Sequence, residues 1–83
     1  MSPENVHALL AAAFPDAQEI QVSGDGGKFQ VLIVSEEFAA LRAVAKQQKV
    51  YAPLNPHIAS GAIHAVTMQT MTPEEWRQKK LFG

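Results

Sequence analysis

The side chains of this 83-residue chain best suited to metal or proton chemistry are its three histidines, at positions 7, 57 and 64, since cysteine is absent. Without thiols the chain can supply neither a disulfide framework nor a thiolate metal site of its own. His64 stands apart by its context. In GAIHAVTMQT, residues 61–70, it lies between Ile63 and Ala65 at the head of an alternating stretch. At a strand's mouth an imidazole can remain accessible while Val66 and Met68 turn inward. An accessible imidazole, with an ordinary pKa of about 6.5, is mostly neutral at neutral pH, so a ring nitrogen can meet a metal at little protonation cost. His7 falls beside the apolar stripe of a first helix and His57 in a proline-containing segment. Neither has ligand spacing to His64, and no role is assigned to either.

Catalytic arrangements are not found. No serine stands at recognisable spacing from a histidine and an acid, and the glutamate pairs at 36–37 and 74–75 read as helix starts. The chain is therefore expected not to be an enzyme. GDGGK, residues 24–28, has the look of a phosphate cradle. It joins two strands, however, and lacks both the P-loop spacing and a following helix whose N-terminus could hold an anion.

The elements that must position His64 follow from periodicity. Ser2, Pro3 and Glu4 open a helix whose apolar face is Val6, Leu9, Leu10, Ala13 and Phe14. Ile20 and Val22 alternate with polar residues, Gly24, Asp25, Gly26 and Gly27 supply a turn, and Phe29, Val31 and Ile33 resume the alternation: a hairpin. Ser35, followed by Glu36 and Glu37, reads as the N-cap of a second helix with Phe38, Leu41, Val44 and Ala45 as its stripe. Pro53 and Pro56 then imply a shorter, broken helix carrying Val50, Leu54 and Ile58. Ile63–Thr70 forms the third strand, and Thr72 with Glu75 caps a last helix anchored by Trp76. The order is α-β-β-α-α-β-α.

A crossover of roughly 27 residues separates strands two and three, the length a parallel pairing requires. The sheet is thus mixed, and the N-terminal ends of strands two and three share one edge. The glycine loop at 24–27 and His64 are expected to be neighbours. Phe14, Phe29, Val31, Phe38, Leu41 and Val66 are expected in the core.

Hydrophobic residues make up 47% and charged residues 18%, the balance of a globular domain, and the net charge is −1. A near-neutral chain lacks the global field that drives strong nonspecific nucleic-acid binding. One domain over 1–83 is expected. The N-terminal residues lack a signal-peptide pattern and no apolar run approaches a membrane span, which points to a cytoplasmic protein.

Three separated motifs, VSGDGGKFQVLIVSEEF, KQQKVYAPL and IHAVTMQTMTPEEW, occur in an order that resembles the BolA family across nearly the whole chain and looks closest to its bacterial IbaG-like branch. The resemblance implies an α+β, type II KH-like fold with a three-stranded mixed sheet covered by helices. It also implies a stress-response role and partnership with a monothiol glutaredoxin, the pair sharing a [2Fe-2S] cluster with glutathione. The family's histidine ahead of the last strand corresponds to His64, making it the cofactor-binding and metal residue; the chain would be a monomer alone and bind no cluster in isolation. Many members carry a second candidate ligand in or just after the glycine loop, where this chain has Lys28. A protonated lysine has no lone pair for iron. Two alternatives follow: a cluster-independent glutaredoxin-binding protein, or a KH-like nucleic-acid-binding transcriptional regulator. For the latter, Arg42, Lys46 and Lys49 are the surface candidates, although AKQQKVYA lacks the GXXG of nucleotide-clamping KH loops.

Overall fold

Alternate residues of one strand set the architecture. In KFQVLIV, Phe29, Val31 and Ile33 are buried while Lys28 and Gln30 are exposed, so this strand lays one face on the core. The computed structural model describes residues 1–82. In chain order the elements are α1 (Pro3–Ala13), β1 (Glu19–Asp25), β2 (Lys28–Val34), a short 3-10 helix (Glu36–Ala40), α2 (Ala43–Ala59), β3 (Ala65–Met71) and α3 (Pro73–Phe82). The sheet runs β1-β2-β3. β1 pairs with β2 antiparallel, and β2 with β3 parallel, with Lys28 opposite Ala65 and Val34 opposite Met71. Beyond that last pair, the Ser35 N–H donates to the Met71 carbonyl at 2.9 Å, carrying the ladder into the following turn.

The hairpin closes over Gly26 and Gly27, both at positive φ (58° and 81°), the hand that matches the right-handed twist of the flanking strands. Gly24 is held for a different reason. At φ 130°, a Cβ there would lie 2.1 Å from the carbonyl oxygen of Lys28, so no side chain fits without opening the hairpin.

α1 is capped as its sequence indicates. The Ser2 hydroxyl accepts from the Asn5 N–H at 3.2 Å, and the Asn5 side chain accepts in return from the Ser2 N–H at 2.9 Å. Val6, Leu10 and Phe14 then pack against Phe29, Val31, Ile33, Phe38, Val50, Leu54 and Ile63 in one core. Leu41 and Val66, expected fully inside, lie half-buried against it.

The helical crossover departs from expectation. Ser35 makes no side-chain cap; its hydroxyl donates to Glu37 instead, and the helix it opens is a 3-10 turn of five residues. Leu41 and Arg42 are extended, so the break falls there and not at the prolines. α2 runs through Pro53 and Pro56 over 17 residues. Each proline forfeits a backbone bond, while Val50 and Leu54, both at 0% exposure, anchor the helix on either side of Pro53. Because the break resets the helical phase, Val44 leaves the expected stripe and is 64% exposed. α3 buries no residue; Pro73 and Trp76 are half-buried, and the Lys80 ammonium lies 5.5 Å from the centre of the Trp76 ring.

Phe29→Ala should cost about 3 to 5 kcal/mol in a urea melt, the usual loss for a buried phenylalanine. Val44→Ala should stay within about 0.5 kcal/mol, as surface changes do. Equal losses at the two positions would contradict this register.

Candidate functional site

Parallel pairing delivers His64 to the hairpin. One acceptor, the Gly27 carbonyl, takes the N–H of His64 at 2.7 Å and that of Ala65 at 3.2 Å. Immediately upstream, Ile63 is 1% exposed and its N–H donates to the His57 carbonyl at 3.0 Å. The chain is therefore pinned on both sides of the exposed His64. Its imidazole lies over the Cα of Gly27: a Cβ built on that glycine would stand 3.1 Å from the ring's Cγ and 3.2 Å from Nδ1. The expected proximity of the glycine loop and His64 is thus met by a backbone clamp and a ring contact. The backbone acceptor could not be read from side-chain types; its only trace in the sequence is the Gly-Gly pair.

Lys28 is placed differently. Alternation with buried Phe29 sends it to the open face, where it lines a depression with Ser23, Gln30, Ala65 and Thr67. It leaves the sheet beside Ala65, whereas the ring rests on Gly27. Among the described residues no group of three or more His, Cys, Asp and Glu side chains could hold a metal ion. His7 lines a shallow surface site with Pro3, Glu4 and Val22, and His57 sits with Met1, Asn5, Ala8, Leu9 and Ala12; neither joins His64.

The basic strip expected on one helix is split. Arg42 is the extended N-cap of α2, Lys46 follows in its first turns, and Lys49 forms an ion pair with Glu37 of the 3-10 turn. Lys46 is near enough to Glu75, the capping residue of α3, to act on its charge, without forming an ion pair with it. The Glu75 carboxylate accepts the Thr72 N–H at 2.8 Å, and the Thr72 hydroxyl accepts the Glu75 N–H at 3.2 Å. The backbone hydrogen bond from Thr72 chiefly holds the Glu75 carboxyl below the usual range; partial burial opposes this, and the Thr72 hydroxyl and the Lys46 charge add to the lowering. One of the three cations proposed for phosphate contact, Lys49, is therefore already ion-paired within the chain, whereas Lys46 only adds to the lowering at Glu75 and forms no ion pair among the described residues.

An α-β-β-α crossover into a parallel third strand, with an imidazole at the shared strand edge, defines an α+β protein of KH-like topology. A sequence profile of BolA-like proteins matches residues 5–75, and the chain belongs to that family. It is similar to the acid stress protein IbaG of Escherichia coli K12, at 52% identity over 84 residues spanning 100% of this chain and 99% of that protein. Similarity extends to the DNA-binding transcriptional regulator BolA of Haemophilus influenzae, at 37% identity over 54 residues, 65% of this chain and 52% of that one. Among solved structures, a Bol-like protein from Babesia bovis matches with a TM-score of 0.81 and 28% identity, covering 96% of this chain and 94% of its own.

A group whose folded pKa is depressed contributes stability that is complete above its unfolded pKa and is lost as pH falls through the folded one. For Glu75 the contribution is thus present at neutral pH and fades below the ordinary carboxylate range. Replacement by glutamine keeps a side-chain acceptor but removes the charge. Thermal melts should therefore separate the parent from Glu75→Gln at pH 7 and bring them together in acid; a gap that widens in acid would contradict the capping geometry.

Proposed function

We propose that this protein is a partner of a monothiol glutaredoxin and modulates [2Fe-2S] cluster assembly, transfer or iron sensing, with His64 as its contribution to the shared site. The observation that carries this reading is the placement of the imidazole: exposed, at the strand edge, and supported by Gly27. The donor chemistry fits one of a cluster's four ligand positions. Imidazole nitrogen is an accepted cluster ligand, and with no cysteine in the chain the thiolates come from the glutaredoxin and glutathione, one each, which with His64 fill three of the four positions. Exchange of a thiolate for imidazole raises the reduction potential of such a cluster and alters its lability.

On this chain the work is presentation. Ile63 plugs the core, the Gly27 carbonyl holds the backbone at His64 and Ala65, and the ring is left at the surface. Lys28 takes no part as a ligand. From the sheet's open face it offers a positive charge beside an assembly rich in thiolate and carboxylate, a role of attraction and not coordination.

A second reading, nucleic-acid binding, draws on the name of the Haemophilus influenzae relative and on Arg42 and Lys46, which form no ion pair among the described residues. The ion pair of Lys49 with Glu37 weighs against it, because that lysine must be released before it can neutralise a phosphate.

Co-expression with a monothiol glutaredoxin and anaerobic isolation of the complex provide the test. His64→Ala should change the visible absorption and circular dichroism of the complex and its rate of cluster transfer. Spectra and rates indistinguishable from the parent would remove His64 from the site.

A further inference from the structure

We infer that Gly27 is a positioning residue for His64, holding the imidazole in one orientation through its carbonyl and its bare Cα surface together. The inference rests on the reading of His64 given above but concerns a different residue and a separable measurement. Two features of Gly27 converge on the same neighbour. Its carbonyl receives both backbone donors that flank the start of β3, at 2.7 and 3.2 Å, which fixes where the His64 Cα lies. Its missing side chain leaves the surface on which the ring rests, with a hypothetical Cβ 3.1 Å from Cγ, 3.2 Å from Nδ1 and 3.4 Å from Cδ2. Separations this short are tighter than ordinary van der Waals contact, so the ring must give by a few tenths of an ångström to admit a methyl group. Since His64 is exposed, the ring is the part free to move when that space is filled, by rotation about χ1 into solvent.

Gly26 supplies the internal comparison. It too has positive φ, 58° against 81° at Gly27, so alanine at either position meets unfavourable backbone sterics. A Cβ at Gly26, however, meets nothing within 4 Å. Both substitutions strain the turn, and only the one at 27 presses on the imidazole. Because 81° lies beyond the left-handed region that alanine adopts while 58° lies within it, strain alone ranks 27 above 26. The orientation of the ring, not the loss of stability, is what separates support of the imidazole from a conformational need.

The orientation also bears on how the ring reaches a partner. An exposed histidine free to rotate spends part of its time turned from any given approach, and ordering it upon assembly carries an entropic cost. A ring already leaning on Gly27 is pre-set. Supporting contacts of this kind typically change the performance of a metal ligand without touching the metal.

The test uses the full chain. In the parent, proton NMR should detect a nuclear Overhauser effect from the His64 ring to the Gly27 α-protons, with χ1 couplings of a single rotamer; absence of that contact overturns the inference directly, with no variant needed. Gly27→Ala should abolish the single rotamer and Gly26→Ala should preserve it, and the inference fails if the ring keeps its orientation in Gly27→Ala. In the glutaredoxin complex, cluster transfer by Gly27→Ala should fall about tenfold, the loss usual when a ligand's support is removed, with Gly26→Ala close to the parent. If Gly27→Ala frees the ring while His64→Ala leaves the complex unchanged, the positioning stands and the ligand reading falls.

Discussion

The pairing of β3 with β2 in the same direction is the constraint on which the rest depends. It brings the start of β3 to the end of the hairpin, where the Gly27 carbonyl accepts two N–H groups from His64 and Ala65. Had the third strand run the other way, the same imidazole would have emerged at the far end, beside Val34. The long helical crossover makes the direction possible, and its anchors make it stable: Phe38, Val50, Leu54 and Ile63 all pack into the core that the inner face of the sheet supplies. A site at the surface is thereby fixed by residues that never reach it.

Much of this was legible in the chain itself. Period-two burial of Phe29, Val31 and Ile33, the glycine turn and the length of the crossover are sufficient for a mixed sheet with its parallel edge at His64. The misreadings fall in the crossover. Ser35 looks like a cap because of Glu36 and Glu37, yet it is tied to Met71 across the sheet and its hydroxyl turns to Glu37. A local signal lost to a long-range bond that no local pattern records. Pro53 and Pro56 look like breaks, but burial of Val50 and Leu54 outweighs the bonds forfeited. Val44 followed from that error, since its apparent phase belonged to a helix that stops before it.

The site shows the same division. His64 announces itself by type and position, whereas Gly27 acts through a carbonyl and an empty surface, neither of which belongs to a side chain. The basic strip illustrates the converse. Arg42, Lys46 and Lys49 recur at the four- and three-residue intervals of one helix face, but the fold brings Glu37 to Lys49 and Glu75 near Lys46. Both carboxylates come from elements outside α2, which is why helical spacing alone overstates the charge available to a phosphate backbone.

Native-state amide hydrogen exchange at His64 tests the central pairing most directly, because its N–H is the donor in the 2.7 Å bond to Gly27. The amide should be protected to the level of the neighbouring amides of β2 and β3, as a member of the ladder and not of a loop. Exchange of the His64 amide at the rate of an unprotected chain, with those strand amides still protected, would contradict the clamp and with it the placement of the imidazole.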